Sequence, residues 1–108
     1  MHYEATMSYT NVFLQIKENL QIAYRQAIDS DARLDELRKA GHGKFVAIFA
    51  EDQGFTESSN RFLPYVQELV AEFDAMQNST HVAPETLEAF VKKLATLLQT
   101  LQVFKLSK

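Results

Sequence analysis

The sequence predicts an all-α fold, in which a single domain, residues 1–108, forms an antiparallel bundle of about four helices. Three glycines and two prolines leave few positions for tight turns, which disfavours an all-β fold made of hairpins. Apolar residues recur at spacings of three and four, the period that lines one face of a helix. Hydrophobic residues make up 46% of the chain, enough to form one core without a metal or a disulfide.

The first helix is predicted at residues 9–29, after a loose N-terminal segment at 1–8. Its apolar stripe, which Tyr24 and Ile28 widen, is expected to face the core. The residues that define the stripe are Phe13, Ile16, Leu20, Ala23 and Ala27.

A second helix is predicted at 31–50. Asp29 and Asp31 carry the side-chain oxygens typical of an N-terminal cap, so a new helix is expected to begin there. Two glycines indicate a break near 41–43, because glycine readily adopts the left-handed backbone that ends helices. The apolar run at 44–50 fits a buried helix or a buried strand, and a helix is favoured because no second strand is evident to pair with it.

The third and fourth helices are predicted at 58–77 and 84–105. Pro64 is tolerated only in a first turn, so regular helix is expected from about residue 61, and Pro84 fits the first position of the fourth helix. A short connection between the two makes them antiparallel neighbours. The fourth helix has a seven-residue apolar repeat that suits a bundle core or a homodimer: Leu87, Phe90, Leu94, Leu97, Leu101 and Phe104.

Composition and charge exclude or disfavour several classes of function. The chain has no cysteine, which excludes thiolate zinc sites and thiol nucleophiles and fits a reducing compartment, so a cytoplasmic location is expected. Its net charge of −3 disfavours nucleic acid as a partner. The first residues lack a signal-peptide pattern, and the longest apolar run is far shorter than the roughly 20 residues that span a membrane.

No pattern of residues predicts a catalytic, cofactor-binding or metal site. His2, His42 and His81 lie in no known ligand or catalytic spacing. Glu68 and Glu72 lie one helical turn apart and are expected to form a solvated face. We therefore interpret the chain as a non-enzymatic protein that needs no cofactor.

An EF-hand calcium loop starting at Asp29 is also excluded. Such a loop requires glycine at its sixth position and glutamate at its twelfth, where this chain has Leu34 and Ala40. Helix capping is the simpler explanation of the aspartates.

The segment 31–50 also allows an alternative interpretation as a helix-turn-helix of a nucleic-acid-associated regulator. Its basic residues would contact phosphates, but its second helix is almost entirely apolar and offers few polar groups to read base edges. The basic residues are Arg33, Arg38, Lys39 and Lys44.

The leading hypothesis is a protein–protein interaction module of the adaptor, inhibitor, chaperone or immunity type, whose partner is another protein. Aromatic residues beside acidic ones are typical of interfaces, so the predicted docking residues are Phe45, Phe49, Phe55, Glu51 and Asp52. Alternatively, these aromatic side chains close one end of the bundle. A small ligand-binding bundle with an internal pocket is a further alternative.

Overall fold

Three helices form the described part of the chain. The computed structural model describes residues 2–39, 41, 48–49 and 53–106, with side chains for 10–39, 41, 48–49 and 53–105. The helices are α1 (His2–Lys39), α2 (Leu63–Gln77) and α3 (Pro84–Leu106), and no strand occurs among these residues. The all-α prediction is confirmed, whereas the prediction of about four helices is not, since the described residues contain three.

Helix α1 is continuous where the sequence suggested two helices. Its 38 residues correspond to about 57 Å of helix at 1.5 Å per residue. The long axis of the molecule measures 58 Å, so α1 sets that dimension. The predicted boundary at 29–31 is wrong, and residues 2–8, expected to be loose, are helical.

The end of α1 agrees with the glycine signal. Helix α1 ends at Lys39, and Gly41 adopts a φ of 83°, the left-handed conformation that favours glycine. Its backbone N–H donates to the carbonyl of Arg38 at 3.0 Å. Of the predicted helical run 44–50, only residues 48 and 49 are described, and neither is helical.

Helix α2 begins at Leu63, later than the predicted residue 58. The hydroxyl of Tyr65 accepts the backbone N–H of Ser59 at 2.8 Å and donates to its carbonyl at 3.0 Å, which keeps the preceding chain out of a helix. Pro64 lies in the first turn, as predicted. Helix α3 begins at Pro84, as the sequence predicted, and reaches Leu106.

The helices run up, down and up around one core. Helices α1 and α2 are antiparallel. Asp31, in the last part of α1, contacts the start of α2, and the ring of Phe13, in the first half of α1, lies 5.6 Å from the ring of Phe73, near the end of α2. Helix α3 is antiparallel to α2, since Phe62 meets Phe104 at 5.6 Å and Phe73 meets Phe90 at 6.2 Å. The repeat of α3 contributes four residues to this core: Phe90, Leu94, Leu97 and Leu101.

The connection 53–62 packs against α2 and α3. Phe55 inserts its ring beside Tyr65, and an added Cβ on Gly54 would lie 3.4 Å from the Cγ of Lys93 in α3. This segment therefore packs on one side of the α2–α3 pair without forming a further helix.

Candidate partner-docking site

Two of the predicted docking residues are buried. Phe49 and Phe55 are 4% and 7% exposed, and their rings stack with centroids 4.7 Å apart. Both rings meet Tyr65 edge-on, at 4.8 and 5.1 Å. This packing suits the alternative in which the aromatic side chains close the bundle, and a docking role would require the cluster to open. Phe45, Glu51 and Asp52, the other predicted docking residues, lie outside the described residues.

A largely buried carboxylate side chain holds the 53–62 connection in place. Glu68 accepts the backbone N–H groups of Thr56 and Glu57 at 3.0 and 2.7 Å and the Nζ of Lys93 at 2.8 Å. Lys93 also donates to Glu72 at 2.5 Å. We call this group the Glu68–Lys93 clamp. The expectation of a solvated pair is wrong for Glu68, whose side chain is 9% exposed.

The clamp keeps its carboxylate charged. Burial alone would raise the pKa of Glu68, but the Lys93 ammonium and the two backbone N–H groups lower that pKa to about 2. For Lys93, burial favours the neutral amine, yet its bonds to Glu68 and Glu72 raise its pKa. Glu68 is therefore ionised at neutral pH, and its role is to fix the 53–62 connection.

The arginines considered for phosphate contacts hold the bundle together. Arg33 donates to the carbonyl of Phe104 at 3.2 Å, and its guanidinium lies 5.1 Å from the centre of that ring. Arg38 donates to the carbonyl of Asn60 at 2.8 Å. Residues 31–39 are the last part of α1, so they are not the separate first helix of a helix-turn-helix. Lys39 is exposed, and Lys44 lies outside the described residues.

The described residues offer no cluster suited to a metal. No group of three histidine, cysteine, aspartate or glutamate side chains among them lies close enough to hold an ion. His81 is exposed in the α2–α3 loop, where its carbonyl accepts the hydroxyl of Ser79 at 2.7 Å. The side chain of His2 and all of His42 lie outside the described part.

None of the described helices combines the length and apolar character that crossing a bilayer requires.

A groove of about 550 Å³ lies between α1 and α2, and we call it the α1–α2 groove. Leu20 and Phe73 are its buried lining, while Tyr24 and Val70 line it with 48% and 39% of their surface exposed. Its charged lining residues are Lys17 and Arg25 from α1 and Asp74 from α2. Sequence reasoning missed this groove because it assigned Tyr24 to the core face of the first helix.

Helix α1 carries a second stripe besides the one in the core. Leu14, Tyr24 and Ile28 are each about half exposed. Lys17 and Gln21 lie between them, so the positions 14, 17, 21, 24 and 28 alternate spacings of three and four and share one side of the helix. The middle three of these residues line the α1–α2 groove, and Leu14 and Ile28 continue the stripe beyond it. This spacing was the sequence signal for the groove.

A larger groove, of about 770 Å³, lies between the end of α2 and the start of α3. Met76, Val82 and Phe90 are its buried apolar lining, and Glu72 and His81 also border it. The exposed apolar stripe of α1 distinguishes the α1–α2 groove as the stronger candidate for docking.

No protein-family model, curated protein or solved structure shows significant similarity to this chain.

Proposed function

We propose that this chain is a small non-enzymatic protein-interaction module that binds the helical face of a partner protein in the α1–α2 groove. The observation that carries the proposal is the run of half-exposed apolar side chains along this groove and the adjoining part of α1. These are Leu14, Tyr24, Ile28 and Val70. Each contributes apolar surface whose burial is favourable by about 25 cal/mol per Å².

The spacing of the residues along the groove suits a helix. The positions 14, 17, 21, 24 and 28 alternate spacings of three and four on one side of α1, and the apolar side chains among them, Leu14, Tyr24 and Ile28, would pack against a helical partner. Adaptors, inhibitors, chaperones and immunity proteins that present helix faces to another protein bind in this manner. Since the 108 residues include no cysteine, we place this interaction in the reducing environment of the cytoplasm.

The non-enzymatic part of the proposal is supported by the state of the clamp. Glu68 is the carboxylate whose pKa departs furthest from its ordinary value among the described groups, and that pKa is lowered to about 2. A carboxyl group that acts as a general acid at neutral pH needs a raised pKa. Within the described part of the chain, the hydrogen bonds of Glu68 are to the connection and to Lys93, which suits a structural role.

A site-specific photocrosslink tests the proposal. Benzoylphenylalanine in place of Tyr24 should form a discrete covalent adduct with a protein in cells of the source organism after illumination. The matched control carries the same residue in place of Val103, an exposed apolar position on α3. Val70→Asp, a second change in the same groove, should abolish the adduct at position 24. Equal labelling from both positions, or an adduct that survives Val70→Asp, would contradict the proposal.

A further inference from the structure

We propose that the partner bound in the α1–α2 groove is a second copy of this chain, related to the first by a two-fold axis parallel to the helices. This inference rests on the proposed function, because it names the occupant of the same groove. In such a dimer, α1 of each copy lies against α2 of the other copy.

Helix α1 carries exposed apolar residues that could fill the α1–α2 groove of a second copy. Its second stripe supplies Leu14, Tyr24 and Ile28 to a partner while its first stripe stays in the core. The half-exposed apolar residues of α3 do not form such a stripe, since Val91 and Val103 lie twelve residues apart and point about a third of a turn away from each other. Among the described helices, α1 is therefore the one suited to fill a second groove.

The direction of the helices fits this symmetry. Helices α1 and α2 of one copy are antiparallel, as the contacts of Asp31 and Phe13 show. An axis parallel to the helices preserves direction along them, so α1 of the second copy is antiparallel to the α2 that it faces. The four helices at the interface would then form a ring in which every neighbouring pair is antiparallel, the up-down arrangement of many four-helix bundles.

The charges around the groove favour the axis parallel to the helices over an axis perpendicular to them. Lys17 and Arg25 lie on α1 and Asp74 on α2, all three are exposed, and none forms an ion pair within the described part of the chain. The parallel axis places the two cations of each copy opposite Asp74 of the other, twice per dimer. An axis perpendicular to the helices would place α1 on α1 and bring the cations together. Like charges facing each other across an interface suppress that pairing.

The apolar contacts are complementary in the same arrangement. Tyr24 on α1 of one copy would pack on Val70 on α2 of the other, above the buried side chains of Leu20 and Phe73. An isologous interface requires that one surface carry both halves of each contact, and the α1–α2 groove meets that requirement.

A charge-swap experiment tests the dimer in the full chain. Sedimentation velocity should find the wild-type protein as a concentration-dependent dimer. Asp74→Arg places three cations together, and the double variant Lys17→Glu with Arg25→Glu places three acids together. Each variant alone should associate with itself at least about tenfold more weakly than the wild type. An equimolar mixture of the two should recover the dimer, because both charge clusters become complementary again.

Controls separate this result from general effects of charge or folding. Glu88→Arg, on an exposed position of α3, should leave the dimer unchanged, and circular dichroism should find every variant as helical as the wild type. A dimer that persists in both groove variants, or a mixture that remains monomeric, overturns the proposed interface. If the wild type is monomeric at all concentrations while position 24 still crosslinks to a different protein, self-association fails and the proposed function stands.

Engineered disulfides test the symmetry itself, since a chain without native cysteines gives an unambiguous product. A Tyr24→Cys chain mixed with a differently tagged Val70→Cys chain should oxidise mainly to the mixed disulfide. Predominant joining of two Tyr24→Cys chains would instead indicate α1 packed on α1, and it would overturn the parallel axis.

Discussion

The carboxylate of Asp31, in α1, accepts the backbone N–H of Phe62 at 2.6 Å and so caps the start of α2. Its second oxygen accepts the N–H of Leu63 at 3.0 Å. The first turn of a helix has backbone N–H groups without intrahelical acceptors, and no side chain at Phe62 satisfies them. A single buried aspartate thus fixes where α2 begins and how it sits on α1.

We expect Asp31→Ala to lower the free energy of unfolding by about 2 kcal/mol, because it leaves two N–H groups at a buried helix start without their acceptor. Urea denaturation followed by circular dichroism measures the change. Asp29→Ala is the matched control, since Asp29 is exposed on the same helix, and it should shift stability by under about 0.5 kcal/mol. Equal effects from the two variants would contradict the capping role.

The Glu68–Lys93 clamp predicts a stability that depends on pH. The pKa of Glu68 is lowered from 4.5 to about 2, so its contribution is complete above about pH 5 and is lost as the pH falls from there towards 2. Glu68→Gln should therefore be less stable than the wild type by about 2–3 kcal/mol at neutral pH, and the two proteins should converge near pH 2. Denaturation at a series of pH values measures this difference.

An exposed glutamate provides the comparison for that experiment. Glu88→Gln, on the exposed side of α3, should follow the wild-type pH profile closely. A constant difference between Glu68→Gln and the wild type across the acid range would show that the charge of Glu68 is not what holds the connection.

Because Phe49, Phe55 and Tyr65 pack on one another, a substitution in this cluster should lower the stability of the fold. Phe55→Ala removes a buried ring that packs on both Phe49 and Tyr65, so it should cost about 3–4 kcal/mol of unfolding free energy. Val103→Ala, at an exposed apolar position, should change stability by under about 0.5 kcal/mol. Thermal or urea unfolding of both variants checks this. If Phe55→Ala unfolds like the wild type, Phe55 is free to act as the docking residue that its sequence context suggested.

Proline and glycine predicted the helix ends that depend only on residues close by in the sequence. Pro84 fixes the start of α3 because a missing N–H is harmless in a first turn, and the glycine at 41 ends the preceding helix because its φ is positive. Asp31 was recognised as a capping residue, but its partners lie 31 and 32 residues away, and spacing along the chain carries no information about them.

The candidate site was harder to predict for the same reason. Glu68 looks like a member of an exposed pair until Lys93, 25 residues later, reaches it. The apolar stripe that includes Tyr24 could face a helix of the same chain or a helix of another chain. Both arrangements require the same spacing of apolar residues, so the sequence does not distinguish them. Only the position of α2 shows that Tyr24 borders an open groove.

Among the described residues, two glycines have a positive φ. Gly41 has a φ of 83° with no atom of a described residue within 4 Å of an added Cβ, whereas Gly54 has a φ of 94° and its Cβ would meet the Cγ of Lys93 at 3.4 Å. Gly41→Ala should cost about 1 kcal/mol through backbone strain alone. Gly54→Ala should cost a similar amount, since a Cβ at 3.4 Å from the Cγ of Lys93 makes an ordinary van der Waals contact and leaves that side chain in place. Denaturation of both variants and of each combined with Glu68→Gln measures the coupling. We expect the cost of each glycine substitution to stay the same when the clamp is already broken, because neither added Cβ displaces Lys93.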